Sequence, residues 1–198
     1  VVPRIVLAVK STGAVQKKVS TALDRESASA TFPDMNDLRD DFVHAMSRAA
    51  ATVSVVTTDG PAGLGGLTVS AMTSVSADGP TPTMLICVNK TASAADAILQ
   101  NGCFAINVLE AGQQDIADIF AGRTKADGAQ RFAGLSYDRL QTGAPVLRGL
   151  AGFDCDIQAV DLIGTHHVII GAVQAVRVSE AGAPLIYGMR SYLRTERA

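Results

Sequence analysis

The stretch TVSAMTSVS, Thr68–Ser76, carries five hydroxyl side chains among its nine residues, although aliphatic, strand-like sequence flanks it on both sides. On a single extended strand, alternate side chains point to opposite faces, so one face would carry mostly hydroxyls. That face consists of Thr68, Ser70, Met72, Ser74 and Ser76, and it holds no Lys, Arg or Glu. Two interpretations are open: an ordinary solvent-facing strand, or a strand whose hydroxyls meet a hydrogen-bonding ligand.

Outward from this stretch, β-branched and apolar runs between turn residues predict further strands. These runs are 51–59, 64–76, 81–89 and 103–110, three more within 145–180, and a last one within 183–194. Predicted helices cover 37–50, 93–102 and 113–122, and 123–137 is expected to be a polar surface loop. Asp34 or Asn36 could cap the first helix, and Gly102 could end the second. Six or seven mostly antiparallel strands with two or three short helices predict a mainly β protein, a closed β-barrel.

Composition limits the class of protein. The 198 residues suffice for one domain, which we predict at 34–198. Residues 1–33 are rich in Ser, Thr, Ala and charged residues, and we expect them to form a loosely ordered arm. A net charge of -2 argues against binding to nucleic acid or an anionic membrane, and no apolar run is long enough to span one. The three cysteines fit no zinc or disulfide pattern, so we expect no metal and a reducing cytoplasm.

Two apparent motifs are weak. GPAGLGGLT, residues 60–68, lacks the lysine of a P-loop and the third glycine of a dinucleotide fingerprint, and a hairpin turn explains it better. The three histidines have no GxSxG nucleophile elbow beside them. By contrast NKTAS, residues 89–93, offers a lysine and a hydroxyl at the expected start of a helix, which suits a phosphate. A hydroxyl-lined strand beside a phosphate site suits a flavin mononucleotide.

Six motifs, in this order, resemble the short-chain flavin reductase family, whose members are NAD(P)H:flavin oxidoreductases that supply reduced flavin to two-component monooxygenases. They are GLTVSAMTSVSADGPTPTMLICVNKTAS, FAINVL, IADIFAG, RFAG, GAPVLRGLAGFDCDI and HHVIIGAV. The resemblance covers about residues 38–193 and leaves the arm at 1–33 outside it. It implies a split β-barrel with an antiparallel Greek-key arrangement, a homodimer that the arm could embrace, and FMN or FAD bound near the subunit interface.

The resemblance also implies which residues bind the flavin. Those at the isoalloxazine edge would be Thr68, Val69, Ser70, Ala71 and Ser74. Those along the ring or ribityl chain would be Cys87, Val88 and Asn89, with Lys90 and Ser93 at the phosphate. The next wall of the pocket would be formed by Phe104, Ala105 and Asn107.

His166 aligns with a histidine that the family places near the flavin and the nicotinamide, and it is the expected catalytic residue. Thr165 stands where the family usually has an aspartate, and His167 is a competing candidate. Arg190 and Tyr192 lie where the family's C-terminal tail approaches the flavin or the nucleotide. An arginine beside a 2′-phosphate would favour NADPH over NADH, and Arg123, Arg131 and Arg190 are all possible.

The implied activity is hydride transfer from NADH or NADPH to the flavin, with the reducing equivalents passed to a partner monooxygenase. Two alternatives are open. The first is a corrin reductase that takes cobalt(II) to cobalt(I), and the second is a non-catalytic flavin-binding protein. A pyridoxamine-phosphate-oxidase-like enzyme shares the barrel class, but its motifs are not recognised in the sequence.

Overall fold

The computed structural model describes residues 35–195, so the arm predicted at 1–33 lies outside the described residues. The helices are α1 (Met35–Ser47), α2 (Ala95–Asn101), α3 (Gln114–Phe120) and a 3-10 helix at Gly128–Phe132. The strands begin with β1 (Ala51–Thr52), β2 (Ser54–Thr58), β3 (Gly65–Val69), β4 (Met72–Ser76), β5 (Thr83–Asn89) and β6 (Cys103–Val108). The others are β7 (Tyr137–Arg139), β8 (Pro145–Leu147), β9 (Ala151–Ile163), β10 (His166–Val178), β11 (Ile186–Gly188) and β12 (Ser191–Leu193).

Seven strands form one antiparallel sheet in the order β3-β2-β6-β9-β10-β5-β4. The two edge strands, β3 and β4, are consecutive in the chain, and only Ser70 and Ala71 separate them. The sheet therefore has to curl until its edges meet at this link. The backbone N–H of Cys87 on β5 donates to the Ala71 carbonyl oxygen at 3.0 Å and fixes the junction. The fold is the predicted split β-barrel.

The prediction of one strand over 64–76 is wrong in one respect. The chain breaks at Ser70–Ala71, and its two halves pair with different partners, β3 with β2 and β4 with β5. Thr68 and Ser74 therefore lie on different strands at opposite edges of the sheet. The hydroxyls of the opening stretch do not form a single row.

The core has two main layers. Inside the barrel, Val56, Ile86, Phe104 and Ile169 are fully buried. The second layer lies under α3, where Val55, Leu109, Phe120, Phe132, Leu147 and Leu185 are buried. Consecutive residues of β2, Val55 and Val56, face the two layers, as the alternation of a strand requires. β2 and β6 are therefore covered on both faces, whereas the far end of β9 is exposed.

The short helices largely follow their sequence signals. Gly102 ends α2 with a left-handed φ of 72°, and its N–H donates to the Ile98 carbonyl oxygen, so it is the predicted C-cap. The expected loop 123–137 contains the 3-10 helix, whose Phe132 ring packs edge-on against Phe120 at 5.0 Å between centroids. No helix within 35–195 combines the length and the apolar character needed to cross a bilayer.

Gly171 packs tightly against the barrel interior, and this contact yields a stability prediction. A Cβ at this position would lie 2.5 Å from Cζ of Phe104 and 2.9 Å from Cβ of Cys155. Gly171→Ala should therefore lower the free energy of unfolding by about 1–3 kcal/mol, which is typical of overpacking. Urea denaturation measures it.

The matched control for this prediction is the double variant Gly171→Ala with Phe104→Leu. The smaller Leu side chain leaves room for the added methyl group, so the two changes should be clearly non-additive. Strictly additive losses would show that Phe104 does not set the limit at Gly171.

Candidate functional site

A cavity of about 380 Å³ opens where β3 gives way to β4. Its lining combines the end of β3 and the Ser70–Ala71 link with the C-terminal end of α3 and one or two residues from each of four other segments. These residues are Leu67, Thr68, Val69, Ser70, Ala71, Cys87, Asn89, Ala92, Ser93, Phe120, Ala121, Gly122, Arg131 and His166. We call this the main cavity.

One wall of the main cavity is held by contacts between β3 and α3. The Thr68 hydroxyl donates to the Ala117 carbonyl oxygen at 2.7 Å. Gly66 lets the Phe120 ring lie against the strand, because a Cβ there would be 2.7 Å from Cε1 of the ring. Ser70 and Ala71, which follow on the same wall, lie outside both strands and are exposed. Their backbone and the Ser70 hydroxyl can therefore hydrogen-bond to a ligand.

Arg131 brings a largely buried positive charge to the cavity, close to Gly66. Its side chain is only 10% exposed. Nη1 donates to Oγ of Ser93 at 3.1 Å and to the Gly66 carbonyl oxygen at 3.2 Å, and Nε donates to the Ala126 carbonyl oxygen. The nearest carboxylate, Asp127, is largely exposed and lies 3.5 Å from Nη2. A guanidinium has five N–H donors, so Nη2 retains capacity for an anion beside Ser93.

His166, which also lines the cavity, begins β10 directly opposite Asn89 of β5. The Thr165 hydroxyl lies 3.0 Å from Nδ1 of His166. Oδ1 of Asn89 accepts from the backbone N–H and the hydroxyl of Thr91, which fixes the turn after β5. A hydroxyl therefore orients the His166 ring in this chain.

Eight of the predicted site residues lie together on the main cavity: Thr68, Val69, Ser70, Ala71, Cys87, Asn89, Ser93 and His166. Four others lie close by without lining it. Ser74 and Lys90 are exposed to solvent, and the Val88 side chain points into the barrel core. His167 is half-buried, and within residues 35–195 its Nδ1 has no hydrogen-bond partner.

The structure does not bring Phe104, Ala105 and Asn107 to the main cavity, although the resemblance implied that they form its next wall. All three are fully buried on β6, a central strand covered on both faces. Asn107 is structural: Nδ2 donates to the Val55 carbonyl oxygen at 3.0 Å, and Oδ1 accepts from the N–H of Leu147 at 2.7 Å. Their side chains therefore cannot form the predicted wall.

A second cavity, of about 180 Å³, shares Thr68, Val69, Ser70 and Ala121 with the main cavity. It is also lined by Arg123, Tyr187 and Tyr192. Oδ1 of Asp118 accepts from the Tyr192 hydroxyl at 2.7 Å and from Nη1 of Arg123 at 2.8 Å. Partial burial, and then the bond to Asp118, raise the pKa of Tyr192 to about 12. The contacts with Tyr187 and Asp118 raise the pKa of Arg123.

A third cavity, of about 250 Å³, lies between the end of α1 and the β11–β12 hairpin. It shares Ser70 and Tyr187 with the second cavity and is lined by Arg190. The predicted nucleotide residues Arg190 and Tyr192 therefore line two neighbouring cavities, each of which shares Ser70 with the main cavity.

Sequence reasoning did not place Arg131 beside Ser93 in this cavity, and it missed Asp118 and Tyr187 altogether. The sequence analysis considers Arg131 only beside a 2′-phosphate. Its presence in the RFAG motif was the one available signal. No sequence pattern separates Asp118 from the other carboxylates of the chain.

A cavity on a split β-barrel that is lined by a largely buried arginine, several hydroxyls and a histidine can accept a phosphorylated ring compound. Residues 46–196 match the family described as "Flavin reductase like domain", and the chain belongs to this family. A protein named FMN reductase (NADH) RutF, from Methylorubrum extorquens, is 43% identical over 180 residues, which is 90% of this chain and 84% of that protein. A RutF 2 protein from Rhizobium rhizogenes is 41% identical over 81% of this chain and 91% of its own length.

Solved structures agree with this assignment. The NADH:FAD oxidoreductase SgcE6 of Streptomyces globisporus superposes with a TM-score of 0.75 at 28% identity, over 86% of this chain and 99% of its own. BorF, the flavin reductase component of a bacterial two-component tryptophan halogenase, gives a TM-score of 0.71 at 29% identity, over 78% of this chain and 96% of its own.

The raised pKa of Tyr192 predicts a stability change at alkaline pH. In the unfolded chain the phenol ionises near its ordinary pKa of about 10, whereas in the folded chain it ionises near 12. The unfolded state therefore loses its proton first as the pH rises. The stabilisation that the Tyr192–Asp118 bond contributes should be complete below pH 10 and should disappear between about pH 10 and 12.

Tyr192→Phe measures this effect by difference. The gap in free energy of unfolding between wild type and variant, followed by urea denaturation, should be constant up to about pH 10 and then shrink. A gap that stays constant to pH 12 would show that the phenol ionises at the same pH in both states.

Proposed function

We propose that the protein is an NADH-dependent flavin reductase that binds FMN in the main cavity, with FAD as a possible substitute. The observation that carries this proposal is the largely buried Arg131, held against Ser93 in a cavity that Ser70, Ala71 and His166 also line. Gly66 and Ser70 are four residues apart, about 13 Å along the backbone. The arrangement suits an elongated ligand with a phosphate at one end and a hydrogen-bonding ring at the other.

The residues present fit FMN in chemical detail. Nη2 of Arg131 and the Ser93 hydroxyl would hold the phosphate, because both can donate to an anion. The Ser70–Ala71 backbone and the Cys87 strand would border the ring. Lys90, exposed just beyond Asn89, would add a screened attraction to the phosphate at most.

FMN, when bound, supplies an acceptor for the hydride of NADH, and this step needs no acid or base from the protein. The protein's part is to bind both partners, orient them and exclude water. His166, at the cavity rim with its ring oriented by Thr165, would position the nicotinamide. Backbone N–H groups at the Ser70–Ala71 junction would donate to the ring oxygens and nitrogens where negative charge develops.

The assembly is part of the proposal. Leu38, Phe42 and Met46 form the apolar stripe predicted on α1, and they are 58%, 64% and 53% exposed. An exposed apolar stripe of this size usually marks an interface, and we propose that a second copy of the chain packs on it in a homodimer. A partner monooxygenase would consume the reduced flavin. Within residues 35–195 Cys87, Cys103 and Cys155 are free thiols, which suits a reducing cytoplasm.

Anaerobic mixing of the protein with NADH and excess FMN tests the activity. We expect the visible absorption of FMN to bleach, with free FMN consumed over many turnovers. NADPH in a parallel experiment measures donor preference. Bound flavin that stays oxidised under both donors would leave a non-catalytic flavin-binding protein and would overturn the proposal.

Phosphate binding by Arg131 has a separate test that compares FMN with riboflavin, which lacks the phosphate. In Arg131→Gln the dissociation constant for FMN should rise about tenfold to a hundredfold relative to that for riboflavin, the usual effect of losing a charged hydrogen bond. Fluorescence titration measures both constants. The ratio of the two constants cancels any general loss of packing in the variant, because such a loss would weaken the binding of FMN and riboflavin equally.

Lys90→Ala serves as the control for Arg131→Gln, because Lys90 is exposed and does not line the cavity. Its FMN-to-riboflavin ratio should change by less than about threefold. The reverse order of effects would assign the phosphate to Lys90, as the sequence first suggested.

A further inference from the structure

Asn89 and His166 stand side by side on the main cavity. They are register partners on β5 and β10, so their side chains leave the sheet on the same face with the two Cβ atoms about 5 Å apart. Both line the cavity. What a ligand meets at this point depends on whether the two side chains present N–H donors or bare acceptor atoms.

The Asn89 amide is oriented by the turn that follows it. Its Oδ1 accepts from the backbone N–H of Thr91 at 3.0 Å and from the Thr91 hydroxyl at 2.9 Å. A backbone N–H can only donate, so the amide atom that it contacts has to be the oxygen. The NH₂ group of Asn89 is therefore the end that remains for a ligand, and it can only donate.

The His166 ring is fixed at one nitrogen by the turn between β9 and β10. The Thr165 hydroxyl lies 3.0 Å from Nδ1. The Thr165 carbonyl oxygen accepts from the backbone N–H of Lys90 at 3.0 Å, which ties this turn to the end of β5. Nε2 is therefore the ring nitrogen that remains for a ligand.

The partner of Nδ1 decides what Nε2 can do. A carboxylate can only accept, so it would hold the proton of a neutral ring on Nδ1 and leave Nε2 bare. A hydroxyl can donate to Nδ1 and leave the proton on Nε2. Within residues 35–195 the Thr165 hydroxyl has no other hydrogen-bond partner. A bare Nε2 could accept from the Asn89 NH₂ group beside it, and the described residues contain no such bond.

We propose that Thr165 is a positioning residue, which donates to Nδ1 of His166 and so places the ring proton on Nε2. Asn89 and His166 then form a pair of N–H donors for one carbonyl-type oxygen of the bound reactants. A neutral ring keeps its donor, so His166 does not have to become an imidazolium to bind this oxygen. The inference rests on the proposed function, in which the oxygen belongs to the flavin ring or to the carboxamide of NADH.

Charged neighbours do not oppose this arrangement. The titratable and charged groups on the elements around the ring are Cys87 and Lys90 at β5, Asp161 on β9, His167 on β10, and Arg131 at the cavity. Asp161 is opposite Val168, on the same face as His166. Within the described part of the chain, no carboxylate forms an ion pair with His166.

Nitrogen-15 NMR of protein labelled in its histidine rings reads the proton position directly, with and without FMN. At a pH where the ring is neutral, His166 should have a protonated Nε2 and a bare Nδ1. Thr165→Asp should reverse the two, because its carboxylate can only accept. His166→Gln identifies the signal, and Asp161→Asn should leave it unchanged. A bare Nε2 in the wild type, or a reversal in Asp161→Asn, would overturn the proposal.

The pH dependence of turnover is a second test. In Thr165→Asp only the imidazolium has a donor at Nε2. The ratio of kcat/KM for NADH in this variant to that in the wild type should therefore fall about fivefold as the pH rises and the ring loses its charge. Thr165→Val should lose activity by a similar factor, and Thr165→Ser should restore most of it. A Thr165→Asp ratio that does not vary with pH would contradict the proposed proton position.

The source of the oxygen is determined with Thr165→Val. A higher dissociation constant for FMN would assign the oxygen to the flavin ring. A higher KM for NADH with an unchanged FMN constant would assign it to the carboxamide. If neither constant changes, the donor pair binds no oxygen and the proposal is wrong. Failure of the proposed function would look different, because the wild type would not oxidise NADH, whereas the NMR experiment needs no turnover.

Discussion

The link between β3 and β4 is the constraint on which the rest of the structure depends. Ser70 and Ala71 join strands that pair at opposite edges of a seven-stranded sheet. Three Cα–Cα steps span at most about 11 Å, so the two edges must approach each other here and are free to separate elsewhere. Barrel closure and the main cavity therefore have the same cause: the cavity is the space that opens beside the link, and α3 and the 3-10 helix close its other side.

The sequence predicted the strands better than it predicted how they pair. Alternation and β-branched runs located nearly every strand of the large sheet, and Gly102 marked the end of α2 with its left-handed φ. The break at Ser70–Ala71 left no such mark, because no Gly or Pro interrupts the alternation of 64–76 there. Which partner each half selects is decided by β2 and β5, which are far away in the sequence. Local pattern cannot report that choice.

The candidate site shows the same division. Thr68–Ala71 and Ser93 lie within a single motif of the resemblance, whereas Arg131 belongs to the RFAG motif and reaches Ser93 across 38 residues. That contact depends on the packing of Phe132 against Phe120, a tertiary event. The prediction that Phe104 and Asn107 line the pocket was based on local sequence and did not account for the packing of β6. Their residue types suit a pocket wall, but β6 is covered on both faces, so neither side chain has access to a ligand.

Arg131 and Arg123 are prepared for anions in different ways, and the difference has a physical basis. Arg131 gives up most of its hydration, yet its hydrogen-bond partners are two carbonyl groups and a hydroxyl, and its ion-pair partner Asp127 is exposed and lies 3.5 Å away. Its charge is therefore oriented but only partly neutralised, which favours a doubly charged phosphate. Arg123 is half-exposed and already paired with Asp118, so it can add only a weaker, solvent-screened attraction. This contrast favours Arg131 over Arg123 as the group that binds the phosphate.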